Sequence, residues 1–512
     1  MPKFEEIVRV QDNEKVIAER KSRGEALENL AKVEAAAAAD IEKEADAAKV
    51  AADEEHDLAS LQEFYTPMPT SLTKLPVIDR KECISCILLL LLSTGKYSAH
   101  SRAMILYMAS SLNLSQSFVN HEELEITQSL MESSTADKGE KESMSAEAEA
   151  EKRRRENKFS RMWKVGLASV AGATIVGVTG GLAAPLVAGA LGGILGGVGL
   201  GGVASFLGIF WMNGALVGAL FGAYGAKMTG SMMDKYAKEV DDFCFIPLKE
   251  DKGGSGMDDK ARANKDRRLR VTIGVNGWLN KEDDITEPWR ALSDDAEVFA
   301  LRYEMKTLLA LGSALKDLVQ SFAWKTLKVE IIKRTVLATL FAALWPIQVL
   351  SIASNVDNPF SHASNRSKKA GRLLADALIN RVQGERPVTL VGYSLGAVAI
   401  HSCLQSLAER QAFGLIDTVV IIGAPAPSDP AHWRTLRTVV SGKIFNAYSE
   451  NDMVLGFVYR MHSLAMGVAG LQAIDGVAEV HNYNLSDKIS GHLRYPTLIG
   501  GILRHCGFVG ID

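Results

Sequence analysis

The chain has 512 residues, 47% of them hydrophobic and 23% charged, with a formal net charge of -4. At roughly 100–200 residues per domain that length holds about two to four units, and the composition suits a globular protein with a sizeable core. The slightly acidic balance excludes a strong global pull toward nucleic acid, and the odd, scattered set Cys83, Cys86, Cys244, Cys403 and Cys506 excludes a disulfide framework.

The first residues, MPKFEEIVRVQDNEK, are charged and lack the apolar core of a secretory signal. Residues 1–66 read as a charged helical or coiled-coil tail. Ala, Glu, Lys and Asp dominate positions 13–62, a strongly helix-forming mixture, while apolar positions such as Ile17, Leu27, Leu30 and Val33 are thin. Pro67, Pro69 and Pro76 then punctuate the chain. Residues 67–135 read as a small helical domain. The run Ile84–Leu92 is too short for a bilayer, which needs about 20 residues, so a buried core helix is expected there. Cys83 and Cys86 form a C-x-x-C without the further ligands zinc needs; two thiols on a helix is the expectation, and no metal site is expected.

Residues 136–163 form a charged linker helix that contains Lys152-Arg153-Arg154-Arg155. Between Lys164 and Lys227 there is no charge for 62 residues. Residues 164–230 therefore read as a Gly-rich transmembrane hairpin of two spans, with three as the alternative. Gly177/Gly181, Gly189/Gly193/Gly197 and Gly214/Gly218/Gly222 supply the small-residue spacing that lets helix backbones approach in lipid. Basic residues on both flanks place both ends in the cytosol. Residues 231–268 read as a polar linker containing Lys252-Gly253-Gly254-Ser255-Gly256.

Residues 269–512 change character. Short apolar runs at Arg270–Val275, Val298–Tyr303, Val388–Val391, Thr418–Ile422, Lys443–Tyr448 and Ala478–Tyr483 alternate with helical segments. That alternation predicts an α/β fold with a mostly parallel sheet covered on both faces. Gly392-Tyr393-Ser394-Leu395-Gly396 lies between the third run and a helix, the context of a nucleophile elbow. Gly392 and Gly396 remove side chains that would crowd the turn, and Ser394 is the expected nucleophile.

A serine hydroxyl needs a base, and the base an acid, in the chain order Ser, acid, His. Asp452 follows the run Lys443–Tyr448 and is the preferred acid, with Glu450 and Asp429 as rivals. His492 lies in a loop after the last strand and is the preferred base; His481, His401 and His505 are the others downstream. The oxyanion donors are expected to be the amide of Leu395 and that of Trp278 or Gly277, in the loop after the first strand.

Gly274-Val275-Asn276-Gly277-Trp278, the elbow, Gly423-Ala424-Pro425, Tyr448-Ser449-Glu450-Asn451-Asp452 with Val454-Leu455, and Ser490-Gly491-His492-Leu493-Arg494-Tyr495 occur in one order. With the Gly-rich tract before them, they resemble the transmembrane and coiled-coil domain-containing protein 4 family over roughly residues 75–505. The resemblance implies an integral, multi-pass membrane protein whose α/β-hydrolase domain is lipase- or esterase-like.

The expected function is a membrane-anchored serine hydrolase acting on a lipid or other acyl ester, without cofactor, with the hydrolase domain in the cytosol. Residues 335–353, including Leu340 and Trp345, carry no charge and fit either a lid or a helix covering the sheet. Two readings compete. In one, the fold is a non-catalytic adaptor whose N-terminal helices bind a protein partner; in the other, the same triad serves a thioesterase or peptidase.

Overall fold

The computed structural model describes residues 21, 52–141, 219–221, 240–248, 266–292, 294–320, 347–462, 467–489 and 491–508. Seven strands form one sheet: β1 (Cys244–Pro247), β2 (Val271–Val275), β3 (Glu297–Arg302), β4 (Val388–Tyr393), β5 (Ile416–Ile422), β6 (Ile444–Tyr448) and β7 (Val480–Asn484). Their order is β1-β3-β2-β4-β5-β6-β7. β1 pairs antiparallel with β3, and every other pairing is parallel. All six strands expected from the sequence are present. β2, β4 and β5 are buried along their whole length, as continuous apolar runs require when both faces are covered.

β1 is the addition. It falls inside the stretch expected to be linker, so part of that stretch belongs to the sheet. Its four residues are only half-buried at three positions. Pro247 is tolerated because the strand lies at the edge.

In the sheet region, helices α4 (Met305–Gln320), α5 (Ile347–Ile379), α6 (Leu395–Glu409), α7 (Pro430–Arg437), α8 (Met453–His462) and α9 (Tyr495–His505) connect and cover the strands. α5 and α6 lie very close: a Cβ on Gly371 would overlap the Ala399 carbonyl. Of residues 335–353, the described part is the start of α5; Leu340 and Trp345 lie outside the described residues, and with them the choice between lid and covering helix.

Helices α1 (Val77–Leu92), α2 (Ala99–Ser111) and α3 (Gln116–Lys141) precede the sheet. They share a second apolar core that includes Ile84, Leu88, Leu92, Ile105, Leu106, Val119 and Leu130. The Ile84–Leu92 run lies on α1 and is buried on one side, while Leu90 remains 56% exposed. Among the described residues no helix is long and apolar enough to cross a membrane.

A buried polar seam locks this helical unit to the sheet. Arg102 of α2 donates to Asp417 Oδ2 of β5 at 2.7 Å and to Glu123 Oε1 of α3 at 3.2 Å. Arg270, just before β2, reaches Glu123 Oε2 at 2.6 Å, and Tyr97 Oη donates to Glu123 Oε1 at 2.6 Å. The Tyr97 and Ala99 amides donate to the Glu385 and Gly414 carbonyls at 2.8 and 2.9 Å.

Two expectations shift. Residues 52–64 are helical, and the end of the expected charged tail is docked rather than free. Leu61 and Tyr65 are buried, and the Phe64 ring stands 5.2 Å edge-on from Phe445. Three apolar residues at i, i+3 and i+4 make a docking face that the average composition of the tail hides. Most of the expected hairpin lies outside the described residues, but 219–221 are described. Leu220 and Phe221 are buried in the second core, the Ala219 carbonyl accepts from the Glu385 amide at 3.1 Å, and Arg386 lies over the Phe221 ring at 5.0 Å. At these residues the uncharged tract packs on protein, because an apolar, Gly-rich sequence suits a protein core as well as lipid.

Asp417→Ala would leave Arg102 buried without one of its two carboxylates. We expect a loss of about 3–5 kcal/mol, read as a lowered urea midpoint. A loss below about 1 kcal/mol, the scale of an exposed ion pair, would mean that Glu123 alone satisfies the guanidinium.

Candidate active site

β4 ends at Tyr393 and α6 begins at Leu395, so Ser394 makes the whole turn between them. It does so with φ 51° and ψ -123°, a conformation that costs a non-glycine residue free energy and persists only where its surroundings enforce it. The Ser394 amide donates to the Ile422 carbonyl of β5 at 2.9 Å. The flanking glycines explain the tight turn. A Cβ on Gly392 would stand 2.7 Å from Ile400 Cδ1, and one on Gly396 would overlap the Val275 carbonyl at the end of β2.

The structure brings Ser394, His492 and Asp452 together. His492 Nε2 lies 2.7 Å from Ser394 Oγ, and its Nδ1 lies 2.6 Å from Asp452 Oδ2. The three residues are 1%, 3% and 1% exposed for Ser394, His492 and Asp452. Asp452 is held in turn: its Oδ1 accepts from the Leu455 amide at 3.0 Å, and its Oδ2 accepts from Tyr495 Oη at 2.8 Å. Burial, and then the Asp452 carboxylate, push the Tyr495 phenol well above its ordinary range, so it stays a donor. The Tyr495 ring also stands edge-on to His492 at 5.3 Å. Gly423, at φ 53°, makes room, since a Cβ there would overlap that ring. Sequence reasoning quoted Tyr495 within a motif but gave it no role; its place three residues after His492 was the available signal.

The loop after β2 lies across the elbow. A Cβ on Gly277 would be 2.6 Å from the Leu395 amide nitrogen and 2.7 Å from Ser394 Cβ. Hydrogen bonds pin the loop. Tyr303 Oη donates to the Asn276 carbonyl at 2.9 Å, Asn276 Nδ2 donates to the Ile285 carbonyl at 3.0 Å, and Tyr393 Oη donates to the Trp278 carbonyl at 3.1 Å. The Leu279 amide donates to the Leu308 carbonyl at 3.1 Å. Among the described residues no carbonyl accepts from the Trp278 or Leu395 amide.

Residues 157–509 match the family model described as a protein of unknown function, DUF726. The chain belongs to the DUF726 family. It is 37% identical over 436 residues to an uncharacterized membrane protein of Schizosaccharomyces pombe, covering 83% of this chain and 72% of that one. It is 36% identical over 359 residues to the transmembrane and coiled-coil domain-containing protein STS1 of Oryza sativa, covering 68% and 52%. It is 32% identical over 437 residues to the probable lipase MIL1 of Saccharomyces cerevisiae, covering 84% of this chain but 39% of that one. The family resemblance read from the motifs is consistent with these names.

The rival residues of this DUF726 chain have other partners. Glu450 Oε1 accepts from Asn484 at 3.1 Å on the surface. Asp429 caps α7, accepting from the His432 amide at 2.9 Å. His481 packs against both the Phe64 and Phe445 rings, and His505 contacts Lys488 and the Gly501 carbonyl. Among the described residues no group of three or more potential metal ligands is present.

His401 of α6 meets His432 of α7 with Nε2 atoms 2.8 Å apart. Burial, then the neighbouring His432 and Lys368, lower its pKa to about 3. A histidine whose folded pKa lies below its unfolded value of about 6.5 stabilises the fold fully above that value. The contribution is lost as pH falls from there toward the folded value, by up to about 1.4 kcal/mol per pH unit. The urea midpoint of the protein should therefore fall on acidification below neutrality, and His401→Gln should flatten that slope; equal slopes in the two proteins would exclude His401 as its source.

Proposed function

We propose that this DUF726 protein is a serine hydrolase that cleaves carboxylic esters, with a lipid ester as its natural substrate class. The observation that carries the reading is His492 bridging Ser394 Oγ at 2.7 Å and Asp452 Oδ2 at 2.6 Å. His492 Nε2 takes the Ser394 proton as Oγ attacks the ester carbonyl, and Asp452 stabilises the imidazolium that forms. The amides of Leu395 and Trp278 receive the developing oxyanion. His492 then protonates the leaving alcohol, the acyl group stays on Ser394, and water, deprotonated by His492, releases it. Every proton is handled by these side chains, so the chemistry calls for no metal or organic cofactor.

Support for a lipid ester comes from the relative named a probable lipase. Support for membrane association comes from the relatives named membrane or transmembrane proteins and from the uncharged tract Val165–Ala226. α3 of the helical unit precedes that tract, and Leu220–Phe221 near its end lie in the core of the same unit. Any crossing of a bilayer between two such attachments occurs an even number of times, which favours two spans over three.

A fluorophosphonate probe should label the wild-type protein in detergent and leave Ser394→Ala unlabelled. Ester turnover should drop by at least about 10⁴-fold in that variant. Failure of folded wild type to label would sink the enzyme reading and favour the adaptor. Tyr495→Phe keeps the ring and deletes the donor to Asp452. We expect kcat/KM to fall about tenfold, the value of a hydrogen bond to a charged group, with labelling retained; an unchanged kcat/KM would remove Tyr495 from the machinery.

A further inference from the structure

A cavity of about 440 Å³ opens between the loop that follows β2 and the start of α9, a size typical of small-molecule sites. Trp278 and Pro288 line it on one side, Leu493 and Ile499 on the other. Two of these walls join it to the catalytic residues through the backbone. Trp278 carries the proposed outer oxyanion amide, and Leu493 directly follows His492. Tyr393, which also lines the cavity, directly precedes Ser394.

The polar part of the lining is one-sided. Asp284 and Glu287 contribute carboxylates, Asn280 and Thr497 are neutral, and among the described residues no Lys, Arg or His lines the cavity. Arg290 pairs with Glu287 at 3.4 Å, but both side chains are more than half exposed, so solvent screens that pair. The Asp284 carboxylate accepts from the Asn280 and Lys281 amides at 2.9 and 3.2 Å; those bonds fix its place on the rim. Trp278, 3% exposed, forms part of the apolar wall.

We infer that this cavity is the substrate subsite of the proposed hydrolase and that it selects ester substrates whose bound portion is uncharged or cationic and not anionic. The inference rests on the serine-hydrolase reading. Apolar walls hold the hydrocarbon, and the carboxylates on the rim repel a phosphate or carboxylate on the ligand. Neutral acylglycerol-like esters and esters of quaternary-ammonium alcohols fit that description.

Two matched ester pairs test it, one for each side of the scissile bond. The thioesters of butyrate with thiocholine and with 2-mercaptoethanesulfonate share an acyl group and differ in the charge of the leaving thiol. The p-nitrophenyl esters of valerate and of glutarate share a leaving group and differ by a terminal carboxylate. In wild type the anionic member of at least one pair should have a kcat/KM at least tenfold below its counterpart. Glu287→Lys, a surface change, should shrink that ratio at least fivefold. Ratios within twofold in both pairs, in protein whose Ser394 still labels with fluorophosphonate, would overturn the subsite and leave the hydrolase reading standing. A ratio unmoved by Glu287→Lys would overturn the rim as its cause. Loss of labelling in folded wild type would remove the reading beneath the inference as well.

Discussion

The close approach of three backbones at the end of β4 is the constraint on which the rest of the site depends. Ser394 occupies a left-handed conformation, Gly396 lets the first turn of α6 lie against the end of β2, and Gly277 lets the next loop lie across the turn. None of the three positions tolerates adjustment alone, because each glycine faces backbone rather than a movable side chain. The sheet order makes the arrangement available: β2 and β4 are neighbours, so the loop leaving β2 emerges beside the elbow. The same order puts the ends of β5 and β6 on the other side, where Gly423 and Asp452 follow. The side chains meet because five chain segments leave one edge of the sheet together.

The opposite edge has a different fate. Arg270 precedes β2, Glu297 begins β3, Arg386 precedes β4, Asp417 lies near the start of β5, and Lys443 precedes β6. Arg270 and Asp417 are engaged by Glu123 and Arg102 of the helical unit. Arg386 pairs with Glu297 at 2.6 Å, and Lys443 stands over the Tyr65 and Tyr107 rings. In a parallel sheet the carboxyl ends of the strands are where ligands bind. Here the amino ends are engaged by charge pairs and aromatic faces, and Ser394, Asp452 and His492 gather at the carboxyl ends. A buried charge network is expensive to break, so the helical unit and the sheet hold each other in place.

How much of this could be read from the sequence depended on the range of the signal. β2 and β4–β6 are apolar runs beside turn residues, and the elbow glycines sit within two positions of Ser394, so local pattern was sufficient. Asp452 and His492 stood out through chain order, since each follows a strand, and the structure places both side chains beside Ser394. β1 was not, because a four-residue edge strand lacks a clear period. The Arg102–Asp417 pair spans 315 positions, and no local pattern reports it. Tyr495 was visible as a residue and invisible as a support for Asp452, because a phenol's partner is set by tertiary packing.

The uncharged tract shows where hydropathy stops being informative. A stretch without charges satisfies lipid and protein interiors by the same apolar transfer, and its glycines permit close backbone contact in either. Only the surroundings distinguish them, and at Leu220 and Phe221 the surroundings are the core of the helical unit. Arg386 sits over Phe221 while its guanidinium bonds Glu297 and the Arg268 carbonyl, so the end of the tract is packed against the charge network at the amino edge of the sheet. The packed end of the tract and the Ser394–His492–Asp452 cluster therefore lie at opposite ends of the parallel strands.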